Sequence, residues 1–117
     1  MATITIYGIP NCDTTKKAIN WFNKNKIPFY FHDYRQQGIG EKKLAEWCDK
    51  KGWEIIFNKR STTWRELPTS VQKGLNGQVS AIKIMLQHNS IIKRPIIEIN
   101  AALVVGYDET AYKTMIK

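Results

Sequence analysis

The chain has 117 residues, with 18 lysines and arginines against 10 aspartates and glutamates, and a formal net charge of +8. This length fits one domain with a single core, and no apolar run is long enough to cross a membrane. The basic residues come as scattered pairs rather than one tract, which argues against direct nucleic-acid binding and favours solvated faces, with a small anionic substrate or an acidic protein surface as the alternatives. Two widely spaced cysteines do not form a disulfide framework. Because no basic-then-apolar leader opens the sequence, we expect a cytoplasmic protein whose thiols stay reduced.

Residues 3–7 alternate between polar and apolar side chains, which predicts a strand, and Gly8 and Pro10 end it. Apolar residues then recur at helical spacing from residue 14. Cys12 is therefore predicted in a tight turn at a helix N-terminus. Unpaired N–H groups and the helix dipole at such a place favour a thiolate and can hold an anion. The alternative is that Cys12 is only a small buried hydrophobe.

Residues 29–33 are predicted to form a second strand, so the chain begins with a β-α-β unit whose strands are parallel. His32 stands in this strand without a second histidine or a cysteine at ligand spacing, and we predict no metal site. Residues 41–51 are predicted to form a helix whose apolar face carries Cys48 into the core.

The middle of the chain predicts two or three helical segments after an apolar run of ambiguous type at residues 53–57. Thr69 and Gln72 have the spacing of a capping box that opens one of these helices. A break at Asn76 and Gly77 separates it from the next helix, which is predicted to bury one face. That face comprises Val79, Ile82, Met85 and Leu86.

Pro95 opens a third predicted strand, which pairs with residues 103–105 in a hairpin, and Asp108 is predicted to cap a last short helix. The order β-α-β, helices, β-β-α predicts an α/β, thioredoxin-like fold. We expect one domain over residues 1–117, with a helical insertion between its halves at about residues 39–90. In that fold a cis-proline faces the reactive cysteine, so the Arg94–Pro95 bond is predicted to be cis.

Four segments, residues 7–14, 31–35, 58–65 and 91–95, together resemble the arsenate-reductase-like (ArsC/Spx) family over nearly the whole chain. The resemblance is nearest to the family's YffB-type thiol reductase branch. It implies that Cys12 is the nucleophile, that Arg60 and Arg94 hold an oxyanion, and that Pro95 shapes the site. We place Asn11 and Thr15 with the anion-binding groups. The resemblance also implies glutathione as co-substrate, with no bound cofactor.

Two departures from the family pattern bear on function. The glutaredoxin-linked arsenate reductases have a third arginine after the last hairpin, and residues 105–108 of this chain contain none. Thr15 stands where redox-regulator members often have a second cysteine. Three hypotheses follow: a glutathione-linked thiol oxidoreductase, an Spx-like regulator that binds RNA polymerase without catalysis, or a degenerate member in which Cys12 is structural. The expected partners are glutathione, a small anionic or disulfide substrate, and glutaredoxin or RNA polymerase.

Overall fold

The computed structural model describes residues 3–116 of the chain. It contains two compact units, one made of residues 3–37 with 94–116 and the other of residues 38–93. The organisation as a single domain with an insertion stays a prediction. None of the helices in residues 3–116 is long and apolar enough to cross a membrane.

The first unit is built on a four-stranded sheet with the order β2-β1-β3-β4. The strands are β1 (Ile4–Gly8), β2 (Tyr30–Asp33), β3 (Ile96–Ile99) and β4 (Ala102–Val105). β1 and β2 are parallel and joined by helix α1 (Asp13–Lys24), whereas β3 is antiparallel to both β1 and β4. The arrangement is the predicted thioredoxin-like α/β fold.

One face of the sheet forms the core of the first unit. Ile6 and Ile97, opposite each other on β1 and β3, are fully buried in it. The rings of Trp21 and Phe22 from α1 and of Tyr112 from the last helix lie 5.0 to 5.4 Å apart over this face. That helix is α8 (Glu109–Ile116), and the N–H of Ala111 donates to Asp108 Oδ1 at 3.0 Å. This hydrogen bond confirms the predicted cap. A four-residue helix, α2 (Tyr34–Gln37), follows β2 directly.

The second unit is helical. Its helices are α3 (Glu41–Lys51), α4 (Trp53–Ile56), α5 (Thr62–Glu66), α6 (Thr69–Lys73) and α7 (Gln78–Gln87), followed by a 3₁₀ turn (Asn89–Ile91). The buried stripe of α3 is the predicted one and contains Leu44, Trp47 and Cys48. The apolar run at residues 53–57 is resolved as α4, with Phe57 in an isolated bridge to Ile92.

Two expectations for this unit differ from the structure, one entirely and one in part. The N-cap of α6 is Pro68, so no capping box forms, and Gln72 Nε2 instead donates to the carbonyl of Trp64 at 3.0 Å. The predicted buried face of α7 is half confirmed: Ile82 and Met85 are buried, whereas Val79 and Leu86 are exposed and Ala81 and Ile84 are buried in their place. Apolar residues cover both flanks of α7, so helical spacing alone did not identify the buried side.

Candidate active site at Cys12

Cys12 lies at the junction of β1 and α1, as predicted. Its N–H donates to the carbonyl of Ile9 at 3.1 Å, which closes the turn after the strand. Cys12 is the N-cap of α1 with extended backbone angles (φ −91°, ψ 125°), and its carbonyl accepts from the N–H of Lys16 at 2.9 Å. The sulfur is therefore carried at the N-terminal end of a 12-residue helix, and the residue is half-buried.

The surroundings of Cys12 favour the thiolate. Burial raises the pKa of the Cys12 thiol, but the N–H and hydroxyl of Thr15, the N–H of Thr14 and the positive charge of Arg94 outweigh burial and hold that pKa below its usual range. The Cys12 side chain accepts no cap hydrogen bond of ordinary geometry from the first turn of α1. Their influence is electrostatic and acts on the charged form of the sulfur, which is the reactive form of cysteine.

Thr15 offers a buried hydroxyl at the site. The residue is 0% exposed, and among the described residues Thr15 Oγ1 has no hydrogen-bond partner of ordinary geometry. Gly8 makes room for it, because a β-carbon at Gly8 would lie 2.7 Å from Thr15 Oγ1. An unpartnered buried hydroxyl costs stability, and its dipole is satisfied once the sulfur beside it carries a negative charge.

Arg94 is the cation of the site within the first unit. It is half-buried, and its peptide bond to Pro95 is cis, as predicted. The carbonyl of Pro95 accepts the N–H of Gly106 at 2.8 Å, which anchors the start of β3 to the end of β4. Arg94 is thereby held at the end of the sheet where α1 begins, and its charge acts on Cys12.

The sequence did not identify the aromatic and acidic groups around Tyr34, the buried residue on which the charge of Arg94 acts. Tyr34 is 1% exposed, and burial raises the pKa of its hydroxyl far above the usual range, an effect that the charge of Arg94 opposes. Tyr7 Oη donates to Glu98 Oε1 at 2.8 Å, and the rings of Tyr7 and His32 are 4.9 Å apart. These residues come from β1, β2 and β3 and from helix α2. Strand register could therefore have identified the strand residues but not Tyr34.

Two of the predicted site residues are exposed. Asn11 precedes Cys12 in the turn after β1. Arg60 belongs to the second unit, in the turn before α5, where its N–H donates to Asn58 Oδ1 at 3.1 Å. Ser61 next to it caps α5 by accepting the N–H of Trp64 at 3.0 Å. The participation of Arg60 and Asn11 in an anion site with Cys12 stays a prediction.

The second cysteine has the opposite character. Cys48 is 2% exposed on the buried face of α3, and burial together with the charge of Asp49 raises the pKa of its thiol to about 11. A protonated, buried thiol is a poor nucleophile. Within residues 3–116, no group of three His, Cys, Asp or Glu side chains is placed to hold a metal ion.

A family model described as the ArsC family matches residues 7–115. The chain belongs to the ArsC family. A solved structure of the YffB protein is 38% identical, covers 98% of this chain and 100% of its own, and superposes with a TM-score of 0.93. An arsenate reductase (ArsC) related protein from Brucella melitensis is 37% identical, with a TM-score of 0.74 over 98% of this chain and 95% of its own. The global transcriptional regulator Spx 2 of Lactococcus lactis is 31% identical over 91% of this chain and 80% of its own.

These matches confirm the family inferred from the four sequence segments. They also show that ArsC-family relatives include both an arsenate-reductase-related protein and transcriptional regulators. Membership of the ArsC family therefore does not determine whether this protein is an enzyme or a regulator, and the chemistry of the site has to be considered.

Proposed function

We propose that this ArsC-family protein is a thiol oxidoreductase in which Cys12 is the nucleophile and glutathione is the co-substrate. The observation that carries the proposal is the position of Cys12 at the N-terminus of α1, where Thr14, Thr15 and Arg94 hold its pKa below the usual range. A thiolate at neutral pH is the species that attacks a disulfide sulfur.

The proposed reaction is a two-step exchange. The Cys12 thiolate attacks the glutathione sulfur of a mixed disulfide R–S–SG, forming a Cys12–SG bond and releasing RS⁻, which takes up a proton. A glutathione thiolate then attacks the glutathionyl sulfur, so that glutathione disulfide forms and Cys12 leaves as thiolate. The net reaction converts R–S–SG and one free glutathione into RSH and glutathione disulfide: the disulfide bond passes from R to the second glutathione, whose thiol proton balances the one taken up by RS⁻, and Cys12 returns as thiolate.

The second thiol is proposed to come from outside the chain. Cys48 is buried and its thiol pKa of about 11 keeps it protonated, and the position three residues after Cys12 is Thr15. Free glutathione, or a glutaredoxin that carries electrons from it, supplies the missing thiol. The protein binds neither as a resident cofactor.

Arg94 and Arg60 are proposed to bind the carboxylates of the glutathionyl group. A guanidinium offers a planar fork of N–H donors that fits a carboxylate, and a cation beside Cys12 also stabilises the thiolate when it leaves. Arsenate is the poorer substrate of the proposed site. An arsenate dianion beside the Cys12 thiolate brings three negative charges against the two positive charges of Arg60 and Arg94, and residues 105–108 supply no third arginine.

The proposal is tested by turnover of a glutathione–cysteine mixed disulfide with glutathione, followed by glutathione reductase and NADPH oxidation. The wild type and Cys48→Ala are expected to turn over, whereas Cys12→Ser is inactive. Intact mass spectrometry of the protein exposed to glutathione disulfide is expected to show one glutathionyl group, lost in Cys12→Ser. Absence of both turnover and adduct in the wild type would contradict the proposal.

A second candidate function is supported by the regulator relatives. Spx 2 of Lactococcus lactis matches 91% of this chain at 31% identity and is a global transcriptional regulator. By that resemblance the protein would bind RNA polymerase without catalysis. A pull-down of purified RNA polymerase by the catalytically silent Cys12→Ser variant separates the two functions: retention together with no wild-type turnover would favour the regulator.

A further inference from the structure

A surface groove runs between α1 and α8 in the first unit. One of its walls consists of residues on a single face of α1, at positions i, i+3, i+4 and i+7: Lys17, Asn20, Trp21 and Lys24. The other wall includes residues on a single face of α8, at positions i, i+4 and i+7: Glu109, Lys113 and Ile116. The groove therefore follows both helices over about two turns, roughly 10 Å.

The groove contains two cavities that share Trp21. The larger, of about 340 Å³, has Trp21, Ile27 and Ile116 as its apolar lining. The smaller, of about 240 Å³, has the aromatic residues Trp21 and Tyr107 in its lining together with the polar side chains of Lys17, Asn20, Lys24 and Glu109. An apolar cavity next to one that adds charged side chains fits a ligand with an apolar side and a charged side.

The charge of the groove is positive. Lys17 and Lys24 from α1 and Lys113 from α8 are exposed along it, and Glu109 is the single acidic residue of its lining. In the part of the chain that the structure describes, these three lysines form no ion pair. Together with the net charge of +8, they attract an acidic partner.

The secondary structure of the two walls indicates which conformation of an acidic partner peptide fits the groove. Both walls are helical and no strand edge contributes to the lining, so an extended peptide would gain no backbone hydrogen bonds there. A helix that places an apolar face in a groove needs only side-chain contacts. Trp21 is shared by both cavities but is only 8% exposed, so it forms the floor of the groove, and a partner helix would gain its apolar contact mainly from the half-buried Ile27 and Ile116.

We propose that the α1–α8 groove binds an acidic amphipathic helix of a partner protein. Its apolar side chains would enter the cavity at Trp21, Ile27 and Ile116, and its carboxylates would face Lys17, Lys24 and Lys113. This surface is independent of the chemistry proposed for Cys12, so it can be tested in the Cys12→Ser variant.

The test uses nuclear magnetic resonance of the full-length, ¹⁵N-labelled Cys12→Ser protein. The probe is a synthetic peptide of about 15 residues made of Glu, Ala and Leu, with the leucines on one helical face. A peptide of the same composition with the leucines scattered is the control. Saturable shifts of the Trp21 indole N–H and of the Lys113 and Ile116 amides, caused by the amphipathic peptide and at least threefold weaker with the scattered one, would support the proposal.

Charge reversal separates a site from general attraction to a basic protein. Lys24→Glu and Lys113→Glu are each expected to weaken peptide binding roughly threefold or more, whereas Lys83→Glu, on an exposed position of α7, leaves it unchanged. An unmoved Trp21 indole signal, equal binding of the two peptides, or an equal effect of Lys83→Glu would overturn the proposal. Binding to phosphatidylglycerol vesicles in place of the peptide would overturn it too.

Discussion

The hydroxyl of Thr15 and the α-carbon of Gly8 are in such close approach that a β-carbon on Gly8 would lie 2.7 Å from Thr15 Oγ1. Helix α1 is thus set tightly against the end of β1, directly behind Cys12. Thr15 is completely buried there, although its hydroxyl has no other partner among the described residues. We infer that the role of the Thr15 hydroxyl is to stabilise the thiolate of Cys12 and not to stabilise the fold.

Thr15→Val is expected to raise the pKa of Cys12 without destabilising the protein. A hydrogen bond to a charged group contributes about 1.5 kcal/mol or more, which corresponds to a rise of about one pKa unit. Removing an unpartnered buried hydroxyl leaves the free energy of unfolding unchanged or raises it. The thiolate absorbance in the ultraviolet, titrated in a Cys48→Ala background, measures the pKa, and urea unfolding measures the stability. Thr15→Ser, which keeps the hydroxyl, is the control; an unchanged pKa in Thr15→Val would contradict the assignment.

Gly8→Ala is expected to destabilise the protein by about 1–3 kcal/mol, because the new methyl group overlaps the short, β-branched side chain of a buried helical residue. The double variant Gly8→Ala/Thr15→Ala removes both atoms nearest to that methyl group. It should recover part of the loss, giving a coupling energy between the two sites. If the changes in the free energy of unfolding caused by Gly8→Ala and Thr15→Ala simply add in urea unfolding, the close approach of Gly8 to Thr15 is not the cause of the destabilisation.

Arg94→Lys and Arg60→Lys are each expected to lower turnover of the glutathione mixed disulfide by about tenfold, because lysine keeps the charge but loses the planar fork. The pKa of Cys12 should stay near its wild-type value in Arg94→Lys and rise in Arg94→Met, where the positive charge is gone. Arg65→Lys, at an exposed position of α5, is the matched control. Full activity of either Arg60→Lys or Arg94→Lys would refute the carboxylate-binding role of that residue.

Turnover of glutathione mixed disulfides is expected to exceed arsenate reduction. Arsenate places two negative charges on one small group, whereas each carboxylate of a glutathionyl group needs a single guanidinium. Comparison of kcat/KM for the two substrates with the same glutathione concentration measures the preference. An arsenate kcat/KM equal to or above that of the mixed disulfide would show that the substrate argument is wrong.

Cys48 and Cys12 are expected to affect stability in opposite ways as the pH changes. The thiol of Cys48 has a pKa of about 11 in the folded chain, above its value in the unfolded chain, so its contribution to stability is lost as the pH rises toward that value. The pKa of Cys12 is lowered by folding, so its contribution is present at alkaline pH and lost as the pH falls through the folded value.

Urea unfolding between neutral pH and about pH 10 checks this sign difference. Relative to wild type, Cys48→Ala should lose stability less steeply as the pH rises, whereas Cys12→Ala should lose it more steeply. Native Cys48 should also be alkylated far more slowly than Cys48 in urea. Parallel pH profiles for the wild type and Cys48→Ala would contradict the stated environment of Cys48.

The sequence predicted the position of Cys12 because two strong local signals meet there. Gly8 and Pro10 end an alternating strand, and helical spacing begins within a few residues, so the cysteine could lie only in the turn between them. The cis bond before Pro95 and the burial of Cys48 followed from the fold order and from the apolar face of α3. The structure agrees on each of these features.

The surroundings of Tyr34 could not be predicted in the same way. Tyr34 begins a helix of four residues, which is too short to show helical periodicity, and the sequence gives no local sign that its ring is buried. The hydrogen bond from Tyr7 to Glu98 joins residues that are 91 positions apart in sequence and depends on the register of β1 with β3. Contacts of this kind are fixed by strand pairing rather than by local pattern.

Whether Cys12 is held as a reactive thiolate is tested most directly by the rate of its alkylation with iodoacetamide as a function of pH in the Cys48→Ala variant. We expect a single midpoint clearly below the value of about 8.5 for an unperturbed thiol, shifting upward in Thr15→Val and Arg94→Met. A midpoint at or above that of a free thiol, unaffected by either substitution, would show that Cys12 is an ordinary thiol.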